Sequence, residues 1–555
     1  MKKCTLVLLL TFLQLLAFAQ TPHEINNLFQ FSKTWGFLKY QHSNVAQGHL
    51  NWDSVFVNNV YKIKKADKSQ FNAILKQILH KAGTHSAVAA NLPDNLFTEN
   101  KDYSIAWIKQ STLLNPDVKE ALIHIYNNPY HGENKYVKKQ YQTSDYSGEA
   151  EYKDMLLPDA RYRLLFLARF WNIINYFAPY KYLVSNWNDS LKKFIPLILR
   201  ADDTTSYYKS LSLLTASLND GHAQVTHNFQ SAPVTDRVFG KYTAPFNCQI
   251  IGDSLVVRHL LQHQGSESLN IQVGDKIIKV DDTPVESLIK KRIPYISASN
   301  MLNKKYMLSW FILNANKLDT RVIVERESKT FPVAIKRINY AETFAKEWRS
   351  FINHSTSDTV CKWIRDSVLL VYTGQIWDAN VGVVKEKIIQ SKAVVFDVRN
   401  YPNNDAFYAM FNVLLPQPTI LNYSTVPVHT FPGYFEWMAS PKLGDNNPYH
   451  YKGQVVILVD ERTQSQGEYS SMVLQLIPHM VTIGRQTAGS DGVVTYIPMG
   501  GNHHISYSGY GIYYPDKRPT QRVGVKVDIT VPQTTNAIKE GRDEILEKAL
   551  EYLKH

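Results

Sequence analysis

The chain has 555 residues, 44% of them hydrophobic, and 61 Lys and Arg against 49 Asp and Glu give a formal charge of +12. That length supports roughly three or four domains with full cores. The basic residues lie in short scattered clusters such as Lys290-Lys291-Arg292, with no arginine-rich tail, so a nucleic-acid partner is excluded, and no His/Cys group has ligand spacing, so no metal or cofactor is expected.

Residues 1–19 read as a secretory signal peptide. Met1-Lys2-Lys3 is the charged start, Leu6 to Leu16 the apolar run, and Ala17-Phe18-Ala19 the cleavage site. The run is too short to span a bilayer, and no later run reaches the ~18 apolar residues that a membrane helix needs. Cys4 precedes the apolar run and does not read as a lipid-attachment cysteine. The expectation is an exported chain, periplasmic or secreted, with no integral membrane segment after signal cleavage. Cys248 and Cys361 remain after cleavage, as one disulfide or as two buried thiols.

Residues 20–94 and 159–237 read as two copies of one helical unit. Trp35 matches Trp171, Tyr40 matches Tyr176, and Asp53-Ser54 matches Asp189-Ser190, each at an offset of 136, while Trp52 and Trp187 are one residue out of step. Each copy runs on to a histidine, His85 in "GTHSAV" and His222 in "LNDGHAQV". No partner segment accompanies His85, so a structural or interface role is expected for it. Between the copies, residues 95–158 are polar and rich in Tyr and Asn, the composition of a loop-rich connector.

Residues 238–340 change character. "FNCQIIGDSLVVRHL" offers two strands, and "VGDKIIKVDDTPVESLIKKRI" a strand, a tight turn and a helix. "DTRVIVERESKTFPVAIKRI" closes the segment with a hairpin. "VGDKIIKVDDTPV" resembles the strand-turn-strand of a PDZ domain, which implies capture of a polypeptide C-terminus by strand addition. From 341 to 555 short apolar strands alternate with helices. The strands are "DSVLLVYTG", "AVVFDVRN", "GQVVILVD" and "HMVTIGR", with the helical "EYSSMVLQLI" before the last and an amphipathic tail helix carrying Ile545, Leu546, Ala549 and Leu553 on one face. The fold expected is a multidomain α/β chain: a duplicated helical N-terminal region, a PDZ-like β-rich domain and a C-terminal α/β, crotonase-like domain.

Ser465 falls where an apolar strand gives way to a helix, a place where nucleophiles are presented and where the helix N-terminus offers N–H groups to an oxyanion. Ser465 followed by Glu468 also fits a helix capping box. Three segments decide between these roles. "VVFDVRNYPNND" (394–405), "TQSQGE" (463–468) and "VGVKVDITVPQT" (523–534) resemble, in order, the conserved segments of the tail-specific, or C-terminal processing, serine peptidases. The resemblance implies Ser465 as nucleophile, with Gln466 and the Asn403–Asn404 turn as oxyanion donors. Two asparagines stand where the family has glycines, although Asn tolerates left-handed backbone well.

The proton acceptor departs from the bacterial branch. Position 490, where that branch carries its lysine, is Ser490, and no lysine lies between Glu468 and Lys517. The branch represented by the tricorn protease core uses a histidine that matches His222, and an imidazole suits a serine's general base. That branch also has a serine just before the histidine and a glutamate near the closing segment. Here those positions hold Gly221 and Gln521 or Arg522. Asp220 is the candidate orienter of His222, with capping as its other role, and Ser490 is a candidate supporting residue.

Two functions are therefore expected. One is an exported serine endopeptidase using Ser465 and His222 on a polypeptide substrate recognised by its C-terminus. The other is a non-catalytic binder of peptides or apolar ligands, on the scaffold that the interphotoreceptor retinoid-binding protein resembles. The aromatic content of 12%, with 33 Tyr, would suit such a groove.

Overall fold

The computed structural model describes residues 20–86, 92–98, 104–261, 269–340, 359–365, 367–402 and 405–554. The proposed signal peptide and the Asn403–Asn404 turn lie outside the described residues. Among the described residues no helix is long and apolar enough to cross a membrane.

The two N-terminal segments fold alike. The first gives α1 (Pro22–Gln41), α2 (Trp52–Lys65) and α3 (Lys68–Ala82). After a helix α4 (Pro116–Asn127), the second gives α5 (Ala160–Phe177), α6 (Trp187–Leu199) and α7 (Thr204–Ala216). A reciprocal tryptophan pair recurs in both. Trp35 Nε1 donates to Trp52 O at 3.0 Å and Trp52 Nε1 to Trp35 O at 3.0 Å. Trp171 and Trp187 exchange the same two bonds at 2.9 and 3.2 Å. Matching positions also meet across the copies: Tyr40 and Tyr176 rings lie 5.3 Å apart, and a Cβ on Gly36 would strike Asn172 at 2.0 Å. One core joins both segments.

Where a loop-rich connector was expected, α4 interrupts it. Its signals are local: Pro116 sits in the first turn, where its missing N–H costs nothing, and Val118, Leu122 and Ile125 form a buried stripe. Composition over the whole connector masked them.

Strand β1 (Val225–His227) follows α7. The next segment forms an antiparallel sheet, in the order β6-β5-β4-β3-β2, from β2 (Phe246–Ile251), β3 (Ser254–Leu260), β4 (Lys276–Val280), β5 (Asp319–Arg326) and β6 (Lys329–Lys336). Helices α8 (Val285–Arg292) and α9 (Met301–Ser309) lie between β4 and β5 in sequence, and this unit has its own core.

The C-terminal sheet runs β7-β8-β9-β10-β11-β14, formed by β7 (Cys361–Arg365), β8 (Val368–Tyr372), β9 (Ala393–Asp397), β10 (Gln454–Val459), β11 (Met480–Gly484) and β14 (Ile529–Thr530). Every pairing is parallel except β7 with β8. The central strands are apolar on both faces because both are covered. α10 (Val381–Gln390) and α11 (Gln466–Leu474) pack on one face, and α12 (Glu544–Tyr552) on the other through Ile545 and Ala549. A hairpin of β12 (Val494–Pro498) and β13 (His503–Ser508) leaves this sheet and takes β1 as its third strand. Cys248 and Cys361 are both free and buried.

Candidate active site

Ser465 lies beyond the carboxyl end of β10, where open parallel sheets place their ligands. Its backbone stands at φ 52°, ψ −121°, a conformation costly for a residue with a Cβ. The surrounding bonds hold it there: Ser465 N–H donates to Ser490 O, and Ser465 O accepts from Tyr469 N–H, both at 2.9 Å. Although Ser465 precedes α11, its side chain makes no capping bond, so its hydroxyl is not used as a cap. Ser465 and Gln466 line a cavity of about 510 Å³. Gln466 is the first residue of α11, where the backbone N–H has no acceptor within the helix.

Glu468, buried one turn on, ties α11 to the loop before β12. It accepts from Thr487 Oγ1 and from the Gly489 and Ser490 N–H groups, the last two at 2.7 Å. Burial pushes its pKa up to about 7 against the pull of these donors.

His222 arrives through a ladder distant in sequence. Val225, Thr226 and His227 of β1 pair with Ile505, His504 and His503 of β13. Ser506 Oγ donates to His222 O at 2.7 Å. This register sets Ser508 Oγ 2.9 Å from His222 Nδ1 and 2.9 Å from Asp220 Oδ1. The proton positions follow from the partners. A carboxylate only accepts, so Ser508 gives it the hydroxyl proton and must accept from His222 Nδ1–H. Nε2 then carries the lone pair, the form a general base needs, and Nε2 is buried without a hydrogen-bond partner. Burial lowers the His222 pKa and the Asp220 charge opposes that shift.

Asp220 also accepts from the Ser508 N–H at 2.7 Å, the His222 N–H at 3.0 Å, and Ser490 Oγ and Gln521 Nε2, each at 3.3 Å. Ser508 bridges the Asp220 carboxylate to Nδ1, whereas the resemblance implies a serine at position 221 and a glutamate near position 521. Position 221 has no room for a serine, because a Cβ there would lie 2.9 Å from Ser490 Cβ. Position 521 is an amide that donates to Asp220, and a glutamate there would face a second carboxylate.

The Ser465 and His222 loops touch directly. Gln464 Nε2 donates to Gly221 O at 3.3 Å, so the residues just before Ser465 and just before His222 are bonded to each other. A third segment, from the sheet unit β2–β6, holds the His222 loop and the loop before β12. Ser299 Oγ accepts from the Gly221 N–H at 2.8 Å and Ser297 Oγ donates to Asp220 O at 2.8 Å. Asn300 Nδ2 donates to Thr487 O at 2.7 Å and Ala488 O at 2.9 Å.

The turn after β9 lies beside the start of α11. A Cβ on Gly467 would be 3.7 Å from Val398 O and 3.9 Å from Pro402 Cδ. His85, by contrast, spends both nitrogens on structure: Nδ1 accepts the Ser43 N–H at 3.2 Å, and Nε2 donates to Asn128 O at 2.7 Å. Ser508 was not foreseen. Its only signal is the alternation in "HHISYSGYG", which marks a strand but not its partner.

Residues 371–531 match peptidase family S41. No curated protein matches the chain by sequence. Among solved structures, the chain is similar to mature CPAF complexed with lactacystin, at 14% identity and a TM-score of 0.55, over 71% of this chain and 98% of that one. It is also similar to mature CPAF at 16% identity and a TM-score of 0.54, over 70% and 96%. A third likeness is to the photosystem II D1 C-terminal processing protease, at 15% identity and a TM-score of 0.38, over 67% and 93%. At these identities the CPAF likeness gives the fold.

Proposed function

We propose, from the match of residues 371–531 to peptidase family S41, that the chain is an exported serine endopeptidase working through Ser465 and His222. The carrying observation is Ser508, which joins the Asp220 carboxylate to His222 Nδ1 and leaves the Nε2 lone pair unused. In this reading Ser508 and Asp220 supply the serine and the carboxylate that positions 221 and 521 lack.

In this reading Ser465 Oγ attacks the scissile carbonyl and His222 Nε2 takes its proton. Ser508 and Asp220 steady the imidazolium, and Gln466 N–H receives the oxyanion, with the Asn403–Asn404 turn as second donor. The imidazolium returns the proton to the leaving amine. Water, deprotonated by the same nitrogen, then releases the acyl-enzyme. The unit β2–β6 is the PDZ-like module that captures the substrate's C-terminal stretch as an added strand. Its support is an antiparallel sheet ending in β2 and β6, with Ser297 and Ser299 gripping the His222 loop and Asn300 the loop before β12.

A fluorophosphonate probe tests the nucleophile. Labelling that disappears in Ser465→Ala and falls in His222→Ala supports the reading. Labelling that persists in Ser465→Ala ends it.

A further inference from the structure

Asp491 follows Ser490, whose carbonyl accepts the Ser465 N–H, and it lines the same cavity of about 510 Å³ as Ser465. The residue is only 3% exposed. Oδ1 accepts the Gly492 N–H at 2.8 Å, and Oδ2 is buried without a hydrogen-bond partner. Its neighbour Glu468 accepts from three donors, so of the two buried carboxyls Asp491 is the under-supplied one. Burial and the Glu468 charge both push the Asp491 pKa up, a shift that a cation entering the cavity would oppose by favouring the carboxylate. A buried carboxyl short of donors costs free energy until something entering the cavity provides them.

The rest of the wall narrows what that is. Tyr408, Tyr469 and Tyr510 line the cavity with Leu421 and Leu443. Methylenes pack against such walls, and ring faces attract a cation. An apolar side chain would fill the space and leave Oδ2 unpaired. An acidic one would add a third carboxyl beside Asp491 and Glu468. An ammonium or guanidinium on an aliphatic stem satisfies walls and carboxyl together, through a charge-assisted bond.

We propose that this cavity is the specificity pocket for a lysine or arginine side chain next to the scissile bond, with Asp491 as its anchor. The assignment rests on Ser465 being the nucleophile.

Internally quenched peptides carrying Lys, Arg, norleucine, Phe or Glu on either side of the cleaved bond test it in the full chain. Norleucine keeps the stem and removes the charge. The expected result is kcat/KM for Lys or Arg about 10–100-fold above norleucine, with that ratio collapsing toward one in Asp491→Asn. Fluorophosphonate labelling and thermal melting check that the variant is folded. A second measurement needs no variant: n-butylammonium, but not n-butanol, should inhibit the wild type competitively. A preference for norleucine or Phe, or a Lys-to-norleucine ratio unchanged in a folded Asp491→Asn, overturns the pocket assignment and leaves Ser465 standing. Absence of both cleavage and Ser465 labelling overturns the nucleophile reading and this inference with it.

Discussion

Gly221 and Ser490 are complementary: a Cβ on Gly221 would approach Ser490 Cβ to 2.9 Å and Ser490 Oγ to 3.0 Å. Gly221→Ser should therefore destabilise the chain by about 1–3 kcal/mol through overpacking and slow probe labelling of Ser465. Adding Ser490→Gly should recover part of both losses. A double-mutant cycle on melting and labelling checks this, and strict additivity would show that the two sites do not share the space.

Ser508→Ala removes the acceptor for His222 Nδ1–H and one donor to Asp220 while leaving Ser465 intact. We expect kcat to fall on the order of 10²-fold, within the range for general-base catalysis, with KM little changed. Asp220→Asn should cost more, up to about 10⁴-fold. The new amide can donate to Ser508 Oγ, turning the hydroxyl proton toward Nδ1 and moving the ring proton to Nε2. Steady-state kinetics of the two variants, compared with His222→Ala, separates orientation from loss of the base.

The pH profile follows from the lowered His222 pKa. The base must be neutral to act, so a depressed pKa keeps the enzyme active to lower pH. The acid limb of kcat/KM should fall below the ordinary histidine value of about 6.5. In Asp220→Asn it should move lower still, since the charge that opposes the shift is gone. An acid limb above the ordinary value would contradict this assignment.

Glu468 gives a stability signature of opposite origin. Its folded-state pKa is raised from the model-peptide 4.5 to about 7. Its favourable contribution is thus fully present below pH about 4.5 and is lost as pH rises through about 7. Glu468→Gln should flatten the change in melting temperature across that window, measured against wild type in the same buffers.

Away from the site, four fully buried charges join both helical copies. Lys39 Nζ lies 2.7 Å from Glu149 and 3.7 Å from Asp53, and Arg169 lies 2.8 Å from Asp53 and 3.1 Å from Glu149. Arg169→Leu leaves two carboxylates with one cation and should cost about 3–5 kcal/mol in denaturant unfolding. A loss below about 1 kcal/mol would mean that Lys39 alone balances both.

The parts written in local sequence were legible. Strand periods, the tail helix and the β2–β3 and β5–β6 hairpins follow from apolar alternation and turn residues. Ser465 was legible because its elbow, the strand before it and the helix after it are contiguous. His222 needed the family resemblance, since a single histidine after a helix is ordinary. Ser508 is beyond reach because its place depends on which strand β13 pairs with, and pairing with β1 brings it to His222, 286 residues away in sequence. Asp220, expected as the orienter of His222, reaches the ring through Ser508, a side chain folded in from elsewhere.

The β1–β13 ladder also imposes an order in time. During synthesis Ser465 is made before Ser508, so in the proposed mechanism an unfinished chain holds the nucleophile before its base is set. His222 acquires its working tautomer only after the hairpin near the chain's end has closed on β1. In the proposed exported enzyme, a chain still threading through the translocation machinery would therefore be latent without any inhibitory propeptide.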